Sequence, residues 1–402
     1  MTDLEDQLEA RGRLEALLPG GTRSAATRSP VFDAVVTHIE VNEKHGVGAL
    51  LQTLFGSGEG MAVVRSDNHF GGKQAFGERC LRLIHGEAPR PAVYATVLRA
   101  LGGMNVRRIL CCPYYVDDVR SAIALRDVSG APLCTWIMDD RNVCEDGIPD
   151  ELLAELLAKS SLRLGISPEL RDAYRAKFGV PFWLGPPVVP AHLVLETVAP
   201  ELPGGEGAIV GNIWGRRWLD HLRRAVRGAG LKLDWYSPSG FQTAWCRYSV
   251  DEVAADGIRA CGALEEAEYV KRLRRAPYVV VPSGLLDDAE DRRAIARLSL
   301  PSRIPYVLAT AQAPVIVVGH PETAAAHFVV RTGTGVAVPY EAEPLRRAVE
   351  EVCRPETQRA MRSRAARLAS VLSARGAVDW LWRSVEAGEP VDRRFEELVP
   401  PP

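Results

Sequence analysis

Short β-branched runs alternate with helical segments along most of this 402-residue chain. In the first half, apolar runs at 31–41, 61–64, 108–112, 132–138 and 162–166 have the composition of buried strands. Strands that alternate with helices at this spacing are typical of a parallel sheet with helices on both faces. The pattern therefore predicts a doubly wound α/β domain.

The same alternation restarts after residue 207. Residues 185–207 include five prolines and a Pro-Gly-Gly break, which indicates an interdomain boundary. Strands at 208–213, 231–236, 258–261 and 278–281 then alternate with helices. We therefore expect an N-terminal domain over 31–190 and a second α/β domain over 205–377.

Composition narrows the classes of partner. A chain of this length is long enough for two full cores, and a net charge of −2 argues against nucleic acid as a generic partner. No run approaches 18 apolar residues, so membrane contact is expected to be at most peripheral. The eight cysteines form no zinc-type spacing, so we expect no metal site and a reducing, cytoplasmic location. An amphipathic helix over 2–18, followed by a linker to residue 30, offers a surface for oligomer formation.

The segment 299–319 carries the most specific local signal. Ser299 is a suitable N-cap, Pro301 fits a first helical turn, and an apolar strand follows residue 314. One apolar helical face is predicted from Ile304, Val307, Leu308 and Ala311. A helix start beside Arg303 suits an anion such as a diphosphate. A capped crossover helix with a solvated arginine remains the alternative.

Three further candidate functional sites lie in the connections between strands and helices. A glycine turn containing His45, Gly46 and Gly48 follows the first strand, and paired acids, Asp139 and Asp140, follow the fourth. Ligands of open α/β sheets bind at this carboxyl edge, so His45 and the acids are candidate catalytic residues. Arg216 and its neighbour begin a helix in the second half. Each site also has a structural alternative: a tight turn, a helix cap and a solvated face, respectively.

Several motifs resemble the GT-B fold glycosyltransferases, nearest to the family 4-like retaining group. In the second half they are Pro282-Ser283, Ser299-Leu300-Pro301-Ser302-Arg303 and Ala313-Pro314-Val315. In the first half they are Gly165-Ile166-Ser167 with Tyr174, and Phe178-Gly179-Val180-Pro181. The resemblance spans about residues 30 to 380, and the order of the motifs is more specific than any one of them.

The resemblance implies two Rossmann-like domains that face across a cleft, with the tail 378–402 packed back on the first. It implies transfer of a sugar from a nucleoside diphosphate sugar to an unknown acceptor, with retention, without metal and with no other cofactor. Arg303 replaces the family's usual lysine. Tyr306 stands where the family has an acid that contacts the donor ribose, which leaves that contact to groups such as Glu322 or the Asp287-Asp288 pair. The expected co-substrate-binding residues are Gly46, Gly48, Asn212, Arg216, Gly262, Ser302, Arg303 and Tyr306.

Two other functions remain open. A sugar-nucleotide 2-epimerase shares the two-domain architecture. A catalytically silent glycosyltransferase-like subunit that binds a partner is favoured by the missing acid at Tyr306.

Overall fold

The computed structural model describes residues 30–237, 246–289 and 293–400. The described residues form two compact units. Unit 1 contains residues 30–165, 171–183 and 378–392, and unit 2 contains residues 166–170, 184–377 and 393–400. The predicted helix over 2–18 lies outside the described residues, and so does almost all of the linker that follows it.

Unit 1 is built on a seven-stranded sheet with strand order β3-β2-β1-β4-β5-β6-β7. All neighbouring pairs from β3 to β6 are parallel. The strands are β1 (Val31–Thr37), β2 (Met61–Arg65), β3 (Arg79–Arg82), β4 (Asn105–Cys111), β5 (Leu133–Ile137), β6 (Leu162–Gly165) and β7 (Trp183–Leu184). The helices that accompany this sheet are α1 (Gly46–Phe55), α2 (Arg90–Leu101), α3 (Val116–Ser129), α4 (Asp150–Lys159), α5 (Pro168–Phe178) and α14 (Ala377–Ala387).

Unit 2 contains a six-stranded parallel sheet with strand order β10-β9-β8-β11-β12-β13. The strands are β8 (Gly207–Val210), β9 (Leu233–Tyr236), β10 (Ile258–Gly262), β11 (Val279–Pro282), β12 (Val315–Val318) and β13 (Gly335–Val338). The helices are α6 (Arg216–Ala229), α7 (Val250–Ala255), α8 (Glu266–Arg274), α9 (Arg293–Leu298), α10 (Arg303–Thr310), α11 (Ala324–Thr332), α12 (Ala342–Val352) and α13 (Pro355–Val371). Strands β8, β11 and β12 are buried along their whole length, as expected for a parallel sheet covered on both faces.

Each sheet has one point where the strand order reverses. In unit 1 it lies between β1 and β4, and in unit 2 between β8 and β11. Helices on the two sides of such a point run over opposite faces of the sheet, which leaves a crevice at the carboxyl ends of the two strands. The predicted fold class, two doubly wound Rossmann-like units, is confirmed.

Among the predicted boundaries that the structure changes, two bear on the candidate sites. Strand β1 ends at Thr37, not at residue 41, so residues 38–41 belong to the loop at the sheet edge. Helix α10 begins at Arg303, because the Ser299 amide donates to Ile295 O at 2.9 Å and so closes α9 instead of opening α10. The predicted apolar face of α10 is confirmed, since Ile304 and its partners are fully buried. Within the described ranges, no helix is long and apolar enough to cross a membrane.

Candidate active site

The carboxyl edge of the unit 1 sheet holds a cluster of aromatic side chains centred on His38. His38 follows β1 directly and Tyr114 follows β4, and their ring centroids lie 4.0 Å apart across the reversal of strand order. The ring centroids of His45, Tyr115 and His69 lie 5.0, 5.6 and 6.4 Å from that of His38. The imidazole of His38 is therefore buried among other rings at the point where this fold binds ligands.

The imidazoles of His38 and His45 are both held neutral. Burial lowers the pKa of His38 to about 2, and the neighbouring His45 and His69 act in the same direction. Burial also lowers the pKa of His45, although the Asp139 carboxylate works against the shift. The Nδ1 atom of His45 is buried and has no hydrogen-bond partner in the described parts of the chain. A neutral imidazole with a free ring nitrogen can accept a proton.

The two predicted acids have different environments. Asp139 is partly exposed, and its Oδ2 accepts a 2.6 Å hydrogen bond from the Tyr114 hydroxyl. Asp140 is fully buried, and its two oxygens accept hydrogen bonds of 2.7–3.0 Å. The donors to Asp140 are the amides of Asn142, Val143 and Cys144 and the hydroxyl of Tyr174. Asp140 therefore organises its own loop, and of the two predicted acids only Asp139 has its carboxylate beside the His38 cluster.

Gly46 and Gly48, the two glycines of the first turn, differ in the space that surrounds them. A Cβ atom at Gly48 would lie 2.4 Å from Asn42 O, so only glycine lets the loop pack on α1. A Cβ atom at Gly46 would meet nothing within 4 Å, which leaves open space at the start of this ten-residue helix. Gly48 thus has a packing role, and Gly46 remains a candidate for ligand contact.

Glu40 holds the glycine-rich loop that brings His69 to the cluster. Its buried carboxylate accepts hydrogen bonds from the amides of His69, Phe70 and Gly72 at 2.9, 3.2 and 2.6 Å. These backbone hydrogen bonds lower the pKa of Glu40 below its ordinary value, although burial, the largest single effect, acts in the opposite direction. Glu40 therefore links the loop to the segment that follows β1, and Arg65 adds a second contact, since its Nη2 donates to Gly72 O at 3.2 Å.

The carboxyl edge of the unit 2 sheet is spanned by Arg303. Its Nη1 donates to the carbonyl oxygens of Val210, at 3.3 Å, and of Asn212, and its Nη2 donates to Pro282 O at 2.8 Å. These carbonyls follow or end β8 and β11, so the guanidinium lies across the reversal of strand order. Burial lowers the pKa of Arg303 to about 10, at which the group is still charged at pH 7.

All of the groups that accept these hydrogen bonds from Arg303 are neutral backbone carbonyls. Within the described residues it forms no ion pair, and its buried Nε has no hydrogen-bond partner. A buried charge is costly unless an opposite charge compensates it. This edge of unit 2 therefore has an uncompensated positive charge that suits an anionic ligand.

Other predicted residues of unit 2 lie beside Arg303. The Ser237 hydroxyl donates to Asn212 Oδ1 at 2.7 Å, and the Ser237 amide donates to Gly262 O at 3.3 Å. Because Arg303 also binds the backbone of Asn212, the structure brings Asn212, Gly262 and Arg303 to one edge. Ser302 precedes α10 as an exposed residue whose side chain caps no amide.

The charge of Arg216, predicted to bind an anion, is already paired with acidic side chains. Its guanidinium pairs with Asp220 at 3.0 Å and with Glu252 at 2.8 Å, and it also binds Arg247 O. The hydrogen bond to Asp220, and then that to Glu252, raises the pKa of Arg216. Because its charge is already balanced by two acids, Arg216 is excluded from the site proposed below.

The acids suggested for the ribose contact in place of the family's acid also have basic partners. Asp287 pairs with Arg217 at 2.5 Å, Asp288 pairs with Arg293 at 3.2 Å, and Glu322 lies 3.9 Å from His327. Tyr306 itself stacks on Tyr269, with ring centroids 5.8 Å apart. Among the described residues, no group of three or more His, Cys, Asp and Glu side chains is arranged to hold a metal ion.

Comparison with solved structures identifies the fold. The chain is similar to the crystal structure of HepE from Anabaena in complex with UDP, with a TM-score of 0.60 and 12% sequence identity over 89% of this chain and 100% of that one. It is also similar to MurG from Acinetobacter baumannii, with a TM-score of 0.55 and 12% identity over 87% of this chain and 99% of that one. The fold is GT-B. No family model matches the sequence, and no curated protein matches it.

Within this GT-B fold, sequence reasoning missed His38, Glu40, Tyr114 and Tyr269. The predicted strand over 31–41 includes His38 and Glu40, but β1 ends at Thr37, so both residues lie at the edge of the sheet and not within the strand. The signal is the alternation of polar and apolar residues in 38–41. A buried parallel strand is usually apolar throughout, so this alternation indicates that β1 ends before His38. Nothing in the local sequence distinguishes Tyr114 or Tyr269.

Proposed function

We propose that this protein transfers a glycosyl group from a nucleoside diphosphate sugar to an acceptor. The observation that carries the proposal is the Arg303 guanidinium at the reversal of strand order in unit 2, where its described acceptors are only neutral carbonyls. A diphosphate supplies the negative charge that this group lacks, and its oxygens match the geometry of a guanidinium.

The comparison with HepE supports the choice of the first ligand to test. That GT-B structure was solved in complex with UDP. The sequence motifs around Arg303 independently resemble the donor-binding segment of GT-B glycosyltransferases. UDP is therefore the first candidate for the nucleotide that Arg303 binds.

The chemistry follows from where charge develops. As the glycosidic bond to the diphosphate breaks, negative charge grows on the leaving oxygen, and Arg303 stabilises it. Asp139, whose carboxylate accepts a hydrogen bond from the Tyr114 hydroxyl, remains the group that we predict to steady the sugar or its developing positive charge. In a retaining reaction the departing phosphate accepts the acceptor's proton on the same face, so no strong base is needed. We propose retention and independence of added metal, and expect transfer to survive a chelator.

Inversion is the second candidate, and His45 is the observation that favours it. The imidazole is neutral and its buried Nδ1 has no partner among the described residues, as a general base requires. Proton NMR of the first-formed product distinguishes the two. A product with the donor's anomeric configuration supports retention, whereas an inverted centre calls for a general base, with His45 as the first candidate.

The experiment that tests the proposed function has two stages. A thermal-shift panel of UDP, GDP, dTDP and CMP identifies the nucleotide, because a ligand that binds the folded state raises the melting temperature. The matching sugar nucleotides are then incubated with and without a panel of acceptors. Transfer or hydrolysis excludes the silent subunit, and interconversion of free sugar nucleotides without acceptor assigns the 2-epimerase. If no nucleotide shifts the melting temperature and no sugar nucleotide is consumed, the proposed function is wrong.

A further inference from the structure

Three tyrosines lie together beside Arg303 in unit 2. We propose that Tyr269 and Tyr306, backed by Tyr236, form the surface on which the base of the nucleoside diphosphate stacks. This inference rests on the proposed function and specifies which residues bind the nucleoside.

The three rings come from three separate elements. Tyr236 ends β9, Tyr269 lies in α8 and Tyr306 lies in α10. The rings of Tyr269 and Tyr306 are nearly parallel, at 25°, with centroids 5.8 Å apart, and Tyr236 meets Tyr269 edge-on at 6.0 Å. Tyr236 is buried, whereas Tyr269 and Tyr306 are partly exposed, so the row has a buried end and an accessible end.

The helix places this row next to the phosphate-binding charge. Arg303 and Tyr306 are three residues apart in α10 and therefore lie on one face of the helix, one above the other. Ile304 and Leu308, which face away from Arg303 and Tyr306, are fully buried and fix the rotation of α10. Burial raises the pKa of Tyr269 while the charge of Arg303 acts in the opposite direction, consistent with their proximity.

Charge then decides the orientation of the ligand. The phosphates bind at Arg303, which has no carboxylate partner among the described residues. At the other end, burial and then the Glu266 carboxylate raise the pKa of Tyr306, while Arg274 acts in the opposite direction, so charges of both signs lie near this tyrosine. A neutral base is the part of the nucleotide that suits the tyrosines. Aromatic side chains stack on any base, because every base has a π-face.

The test compares UDP with inorganic pyrophosphate by isothermal titration calorimetry on the full-length protein. Both probes reach Arg303, but only UDP carries a base. We expect Tyr269→Leu and Tyr306→Leu to weaken UDP binding about tenfold or more and to leave pyrophosphate binding within about twofold. The matched variant Tyr306→Phe keeps the ring and loses only the hydroxyl, so its affinity for UDP should stay within about threefold of the parent.

Saturation-transfer NMR on the unmodified protein gives a second readout that needs no variant. Irradiation of the protein's aromatic protons should transfer magnetisation to H5 and H6 of the UDP base, and no such transfer would overturn the inference. It is also overturned if the leucine variants bind UDP like the parent, or lose UDP and pyrophosphate equally, since the tyrosines then only pack α8 against α10. If the parent protein binds pyrophosphate and UDP with equal affinity, the base contributes nothing to binding. The base-stacking inference then fails, while the proposed function stands. If the parent binds neither probe, the proposed function fails with it.

Discussion

Arg303 Nη2 donates to the carbonyl oxygen of Pro282 at 2.8 Å, which ties the first residue of α10 to the last residue of β11. Its Nη1 reaches the end of β8, so one side chain joins the two strands at the reversal of order in unit 2. A Cβ atom at Gly211 would lie 3.4 Å from Arg303 Cδ, and Gly211 has a φ of 74°. The guanidinium is thus held in place before any ligand arrives, as electrostatic stabilisation of a leaving group requires.

The first prediction concerns that charge. Arg303→Ala should weaken UDP binding by about 1.5–3 kcal/mol, roughly 10- to 150-fold, because it removes charge-assisted hydrogen bonds to the phosphates. Uridine, which lacks phosphates, should bind within about twofold of the parent. Isothermal titration calorimetry with both ligands measures the difference. Arg346→Ala is the matched control, since this exposed arginine of unit 2 pairs with Glu343 and Glu350. Equal affinity of Arg303→Ala and the parent for UDP would remove Arg303 from the site.

The second prediction concerns Asp140. Asp140→Ala leaves three backbone amides and the Tyr174 hydroxyl without their acceptor. We expect it to lower the free energy of unfolding by about 2–5 kcal/mol, measured by urea denaturation. Asp146→Ala, at an exposed position of the same loop, should change stability by less than about 0.5 kcal/mol. Unchanged stability with loss of glycosyl transfer would instead return Asp140 to a catalytic role.

The third prediction concerns pH. Folded His38 stays neutral down to a pKa of about 2, whereas in the unfolded chain it takes up a proton below its ordinary pKa of 6.5. The unfolded state therefore binds more protons as the pH falls below 6.5, and the folded state loses stability. Between pH 7 and pH 5 the parent should lose roughly 2 kcal/mol more than His38→Gln.

Urea denaturation at several pH values measures this difference. Burial lowers the pKa of His45 and raises that of Asp118 to about 6, but both groups are present in the parent and in the variant, so their effects cancel. His192→Gln, whose side chain is 73% exposed, should keep the pH dependence of the parent. Parallel pH profiles for the parent and His38→Gln would mean that His38 is protonated in the folded state.

The fourth prediction concerns the loop held by Glu40. Glu40→Ala removes the acceptor of the amides of His69, Phe70 and Gly72. These amides should exchange with deuterium at least about tenfold faster, because the loop opens without that acceptor. Hydrogen-exchange mass spectrometry of peptides that cover residues 66–74 measures this exchange rate. Glu43→Ala, in the exposed part of the same connection, should leave the exchange unchanged. An unchanged rate in Glu40→Ala would show that other contacts hold the loop.

The candidate sites were predictable only where one segment carries the signal. Arg303 was found because it lies beside a helix start in a single motif, and its uncompensated charge agrees with that interpretation. Arg216 was predicted on the same basis, but its partner Glu252 is 36 residues away and belongs to another helix. The pair that Arg216 forms with Asp220, four residues on in the same helix, can be read from the sequence, whereas its pair with Glu252 depends on how two helices pack.

Hydrophobic periodicity predicts the two doubly wound sheets, because this period is a local property that each strand and helix carries in its own residues. The buried face of α10 follows from the same period, and the structure confirms it. Which strand ends meet depends on tertiary contacts that no single segment contains. His38, His69, Tyr114 and Asp139 follow four different strands, and they lie together because the strand order places β1 beside β4. Tertiary structure also separated Asp139 from Asp140, since neighbouring residues face different surroundings once the loop closes around one carboxylate.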